Sequence, residues 1–232
     1  MIELLTSYSF TQVPYIANEA LDEYAEALVR DYSPERLITP GAFDILGFVR
    51  NYLGLNVKYY PLNYENMVIG VTAFHDDQIQ IYDESTNAAF TIDVESGTVV
   101  IDISLQAKQN ENRCRFTLAH EGSHWLIHRN TLCGDMVRRK NKYCLENQAD
   151  FLAAAILIPR RALRVAYLDF FRRSSEKPRV LVRGKDQPDD ILVKQLASYI
   201  ADIFHVSNRA ALIRLEKLNA VEYRGVRSYA VI

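Results

Sequence analysis

Apolar positions along this chain follow two periods. Across residues 14–32, Ile16, Leu21, Tyr24, Ala25, Leu28 and Val29 recur three and four apart, which predicts an amphipathic helix. Pro40-Gly41 opens a second predicted helix that ends near Gly54. The period then falls to two. Residues 55–60 alternate as a strand, and 68–74, 78–82, 89–92 and 98–105 read as four more. Asp76-Asp77 and Ser96-Gly97 supply turn chemistry between them. The helical period returns at 117–128. After a loop over about residues 129–142 it resumes at 144–159, rich in Ala and Leu and stopped by Pro159. A basic helix runs on to about Arg173, and Ser174 to Pro178 breaks it. Residues 183–190 form a polar linker. Two helices follow, 191–204 with the stripe Leu192, Leu196, Tyr199, Ile200 and Ile203, and 208–218 with Ser207 as its N-cap. The order predicts an α+β fold: a small, mostly antiparallel sheet ahead of two central helices, with a C-terminal helical segment. No repeat or low-complexity stretch interrupts it.

Composition narrows the class. The chain has 232 residues, 49% of them hydrophobic, which suits one sizeable core or one domain plus a small appendage. No stretch reaches the length of a membrane span, and the N-terminus lacks a basic, then apolar, leader pattern. Cys114, Cys133 and Cys144 are odd in number and lack paired metal spacing, so a reduced, cytoplasmic setting is expected, with ordinary thiols rather than a redox pair. The net charge of −2 hides an asymmetry: residues 1–112 carry 17 acids and five bases, and residues 138–185 carry 13 bases and four acids. Such polarity can steer an acidic partner or nucleic acid, but solvated faces with internal ion pairing are the favoured reading.

The chemistry concentrates in 117–128, which contains His120-Glu121-Gly122-Ser123-His124, an H-E-x-x-H pattern; three of the chain's five histidines lie in this run. Residues four apart share a helix face, so His120 and His124 can grip one metal ion, and Glu121 can reach a metal-activated water as general base. Two histidines do not close such a site. On the next helix Glu146 and Asp150 are also four apart. Glu146 supplies the third ligand, and Asp150 accepts the free ring N–H of His120, fixing its tautomer. This is a gluzincin-like arrangement on a zincin-like helix. His128 continues the face but lies about 6 Å beyond His124 along the axis, so it is expected to pack or cap rather than ligate. Tyr143 and His205 are open candidates for a second oxyanion donor on chemistry alone.

Together the two segments resemble the ImmA/IrrE family of bacterial metallopeptidases. That family reads R-F-T-L-A-H-E-x-x-H, then E-x-E-A-N-x-F-A-A-x-L-L-M-P. Arg115-Phe116-Thr117-Leu118-Ala119-His120 matches the first part, and Glu146, Ala149, Ala153, Ala154, Leu157 and Pro159 match the second in register. Gln148 stands where a second glutamate is usual, Asp150 where asparagine is usual, and Gly122-Ser123 where Leu-Gly is commoner. The resemblance covers about residues 40–160 well and the remainder loosely. The order of elements along the chain gives a metallopeptidase-like domain over 1–173, a linker over 174–190 and a helical segment over 191–232. The resemblance implies a metal-dependent endopeptidase, with Zn2+ or alternatively Mn2+, that cleaves a helix-turn-helix repressor at one site and relieves repression after stress or for mobile-element induction.

Residues 191–218 themselves resemble a helix-turn-helix, with Asn208 and Arg209 placed to read a major groove. Asp189, Asp190 and Asp202 sit close by, so a scaffold or protein-docking role is favoured over DNA binding. Two rival functions remain open. One is a metal-site regulator that binds a repressor or DNA without cutting; the intact Glu121 argues against it, because binding needs no general base. The other is a hydrolase acting on a non-peptide carbonyl.

Overall fold

In the computed structural model the described residues are 16–62, 68–83, 86, 88–130, 135–184 and 187–224, the side chains of 83 and 135–142 excepted. Helix α1 (Asn18–Tyr32) buries Leu21, Tyr24, Ala25, Leu28 and Val29, the stripe that the spacing predicts. The second helix is shorter than its pattern implies. Asp44 accepts the Gly47 N–H at 3.0 Å and starts α2 (Ile45–Gly47), which continues as a π-helical turn, Phe48–Tyr52. Residues 40–43 precede that cap and are not helical. Tyr32, Phe43, Phe48 and Tyr52 pack ring against ring beneath it.

The central sheet has the order β1 (Asn56–Tyr60), β5 (Thr98–Asp102), β2 (Gly70–Ala73). Strand β1 runs parallel to β5, and β2 antiparallel. Strand β5 is buried on both faces, which is why its sequence is a continuous apolar run rather than an alternation. Val99 and Ile101 enter the main core among the helices, and Val100 enters a second cluster with Ala73, Ile79, Ile81 and Val94. That second cluster is roofed by the antiparallel hairpin of β3 (Asp77–Asp83) and β4 (Ala88–Val94). Antiparallel register partners outnumber parallel ones across these strands. The expected strand to residue 105 stops at Asp102. Its carboxylate accepts the N–H of Ser104 and of Leu62, both at 2.9 Å, and turns the chain into a 3-10 helix.

Helices α3 (Glu111–His128) and α4 (Asp135–Leu157) pack against each other and carry the candidate site. Helix α4 begins nine residues before the predicted start at 144; its first turns hold Arg138, Arg139 and Lys140, which are good helix formers without an apolar stripe to reveal them. Pro159 ends it, and α5 (Arg160–Ser174) follows. Strand β6 (Leu181–Arg183) lies in the region read as linker and pairs in parallel with β7 (Val221–Tyr223). Helices α6 (Asp190–Phe204) and α7 (Asn208–Lys217) join at His205, whose left-handed conformation closes α6, and Ser207 caps α7 by accepting the Ala210 N–H at 3.1 Å.

The C-terminal helices share the main core, through Leu196, Ile200, Phe204, Ala211 and Leu215. Their turn is held to α3: Arg115 Nε donates to the His205 carbonyl at 3.0 Å and Asn112 Nδ2 to that of Val206 at 3.1 Å. Arg115 also donates to the Phe43 carbonyl at 2.8 Å, so the motif arginine ties three segments together. Buried Arg214 binds the Asp22 carboxylate of α1 and the Ile158 carbonyl at the end of α4. Of the eight basic side chains described in this stretch, six pair within the chain: Arg160 and Arg161 with Glu26, Arg172 and Arg173 with Asp169, Arg179 with Asp189, Arg183 with Glu216. No described helix is long and apolar enough to cross a membrane.

Candidate metal centre

Helix α3 sets His120 and His124 on one face, and the crossing with α4 brings Glu146 to them. His120 Nε2 lies 3.0 Å from His124 Nε2 and 3.2 Å from Glu146 Oε2, and His124 Nε2 lies 3.6 Å from the same oxygen. Donors about 2.0–2.1 Å from a tetrahedral centre lie about 3.3 Å apart, so the three separations fit one small cation. These residues form the one described group of three or more side chains of metal-ligating type close enough to hold an ion together.

The protons around the cluster fit the same use. Asp150 Oδ1 sits 2.8 Å from His120 Nδ1, so that nitrogen carries the proton and Nε2 faces the cluster. Burial disfavours a charged His120, but hydrogen bonds to Asp150 and Glu146 outweigh it and raise its pKa to about 10. A proton on Nε2 thus stands where a cation would. The hydrogen bond from His120, with the His124 ring close by, holds the Glu146 carboxyl far below the usual carboxylate range.

Glu121 is buried, 7% exposed, one residue round the helix. Thr72 of β2 donates its hydroxyl to Glu121 Oε2 at 2.7 Å. Glu121 Oε1 has no hydrogen-bond partner among the described residues. It lies against Gly70, where an added Cβ would come within 2.7 Å of it and within 2.6 Å of Thr117 Cγ2. Strand β2 can therefore approach the carboxylate because position 70 has no side chain. Sequence reasoning missed Thr72 and Gly70; Gly inside an apolar strand was a signal of close backbone approach. Farther along α3, Trp125 stacks on Phe74 with ring centroids 6.1 Å apart.

His128 packs as expected, at 1% exposure, but it also forms hydrogen bonds: Nδ1 lies 2.9 Å from His124 Nδ1 and Nε2 lies 3.0 Å from Gln148 Oε1. Burial lowers its pKa to about 4, so the ring is neutral. Gly122 packs against Val49 and Leu53, and Ser123 donates back to the Ala119 carbonyl at 2.7 Å. Tyr143 is 81% exposed on α4, and neither it nor His205 hydrogen-bonds to the cluster among the described residues. Cys114 and Cys144 are free thiols, and Cys133 lies outside the described residues.

An H-E-x-x-H helix beneath an edge strand, crossed by a helix that brings in a carboxylate, is the arrangement of a zincin-like α+β fold. The chain belongs to the family described as Peptidase_M78: IrrE N-terminal-like domain, whose model matches residues 82–216. That places it among the peptidases, in a family whose members are metal-dependent. The matched span takes in α3 and α4 and extends through α6 and most of α7, past the motif-bearing segments of the two central helices. No curated protein matches the chain.

Proposed function

We propose that the protein is a zinc-dependent endopeptidase in which His120, His124 and Glu146 hold the metal and Glu121 is the general base. The convergence of those three donors, with Asp150 behind one of them, carries the reading. Two imidazole nitrogens and one carboxylate suit zinc; manganese, which favours more oxygen donors, is the alternative. Bound zinc supplies Lewis acidity, lowering the pKa of a water toward neutrality and polarising a peptide carbonyl.

The chain's own groups do the rest. Glu121 Oε1 accepts the proton of the attacking water and passes it to the departing amine nitrogen. Thr72 holds the other carboxylate oxygen, so the base keeps one orientation. Asp150 keeps the His120 lone pair on the metal side. Among the described residues strand β2 is an edge of the central sheet, and it packs on α3, so an extended peptide can pair with it beside Glu121, gaining affinity from its main chain. The substrate we assign is a helix-turn-helix repressor, cut at one site to relieve repression; this rests on the family alone. Such a substrate puts the protein in the cytoplasm, in keeping with free Cys114 and Cys144. Helices α6 and α7, bound into the core through their turn, serve as scaffold rather than as a DNA reader.

The test compares zinc-loaded wild type with Glu121→Gln on purified helix-turn-helix repressors, with fragments read by mass spectrometry. Wild type is expected to cut one repressor at one bond, and Glu121→Gln to hold equal zinc and cut nothing. Cleavage by Glu121→Gln at the wild-type rate contradicts the mechanism, and intact repressors throughout contradict the substrate.

A further inference from the structure

His120 and His124 are oriented by different means. His120 leans on a carboxylate, Asp150. His124 leans on a second histidine, His128, which in turn meets the side-chain amide of Gln148, and both of these partners are buried. A carbonyl oxygen only accepts, so with Gln148 Oε1 toward the ring, His128 Nε2 must donate. A neutral imidazole carries one N–H, which leaves His128 Nδ1 as an acceptor. The 2.9 Å contact between the two Nδ1 atoms then requires His124 Nδ1 to donate. His124 Nε2 is left as a bare lone pair, turned into the cluster.

The opposite order is just as self-consistent and has the opposite consequence. An amide NH2 facing His128 would donate to Nε2, His128 Nδ1–H would donate to His124 Nδ1, and His124 Nε2 would carry a hydrogen into the site, where it would exclude a cation. The direction of two hydrogen bonds therefore decides whether His124 can ligate.

We propose that His128 and Gln148 are positioning residues for the metal site, a two-step relay that fixes the tautomer and ring orientation of His124. The proposal rests on the reading of His124 as a metal ligand. The relay adds no charge: it ends on the Gln148 amide, so among the described residues Asp150 is the one carboxylate hydrogen-bonded behind the two histidines.

The experiment uses the full-length chain. Long-range 1H–15N correlation spectra of the metal-free protein near neutral pH report which nitrogen of each imidazole bears the proton. Wild type is expected to show His124 protonated at Nδ1 and His128 at Nε2; His124 protonated at Nε2 overturns the proposal with no variant needed. Zinc affinity, measured by chelator competition, is then compared in Gln148→Leu and Gln148→Glu. Loss of the acceptor in Gln148→Leu should weaken zinc binding by about 10- to 100-fold and give mixed His124 tautomers. Gln148→Glu, which keeps an acceptor, should restore both. Gln148→Leu with wild-type affinity and an unchanged His124 tautomer overturns the relay. His124→Ala with wild-type zinc affinity instead overturns the ligand assignment beneath it.

Discussion

Replacing Gly70 by alanine separates the catalytic geometry from metal binding. The added Cβ would sit 2.6 Å from Thr117 Cγ2 and 2.7 Å from Glu121 Oε1. Ordinary contacts of this kind are about 3.5–4.0 Å, so each overlap is about 1 Å. Thr117 and Glu121 lie one turn apart on α3 and are both buried, so neither side chain has open space behind it. Relief must come from lifting β2 or swinging the Glu121 carboxylate, either of which disturbs the Thr72 hydrogen bond. Overpacking of this size costs about 1–3 kcal/mol of stability, and displacing a reacting group by about 1 Å can cost about 100-fold in turnover. The three atoms nearest the new methyl belong to Thr117 and Glu121, not to a metal donor. The expectation is therefore a modest loss in urea unfolding, unchanged zinc affinity, and turnover down by about two orders of magnitude. Gly70→Ala with wild-type turnover would refute the reasoning, because β2 would then not control the base. Lost zinc affinity would refute it differently, by showing that the strand supports the ligands.

Three further outcomes follow from the same contacts. Thr72→Val keeps the shape but removes the donor to a buried carboxylate, so it should cost about 1–3 kcal/mol in urea unfolding and slow cleavage without changing metal content. Metal binding should strengthen with pH: the free site holds a proton on His120 up to about pH 10, and a cation must displace it, so log affinity should rise with a slope of about one from this group and flatten above that pH. A pH-independent affinity between 6 and 8 in calorimetry, about the range in which histidines ordinarily titrate, would contradict this. Asp22→Ala strands the buried Arg214 guanidinium and should destabilise the fold by about 3–5 kcal/mol, read as a shift in the urea midpoint of the metal-free protein.

What the sequence made legible was local. The 3.6-residue period marked α1 and α3, Pro159 marked the end of α4, and Ser207 marked the start of α7, because each signal lies within one turn of the feature it sets. The four-residue spacings of His120 with His124 and of Glu146 with Asp150 placed those side chains on common faces, so the candidate cluster could be drawn before the fold was known. The parts that escaped depend on packing between distant residues. Thr72 and Glu121 are 49 positions apart, Asp22 and Arg214 are 192 apart, and no local pattern encodes either pairing. Strands β6 and β7 have three residues each, too few for an alternation to register. His128 looked like packing because it lies a further turn beyond His124 along the axis; only the α3–α4 crossing brings Gln148 beneath it. The second helix was drawn too long because Pro40-Gly41 resembles a start, whereas Asp44 is the residue that caps it.

The central claim is that Glu146 completes a three-donor metal site with His120 and His124. Elemental analysis of purified protein, wild type beside Glu146→Ala, tests it most directly. The account predicts about one equivalent of zinc in wild type, as for a single three-ligand site, and a large loss in Glu146→Ala with the fold retained. Wild type that holds no metal after chelator-free purification and takes up none on reconstitution would contradict it, and so would a Glu146→Ala variant with a full equivalent.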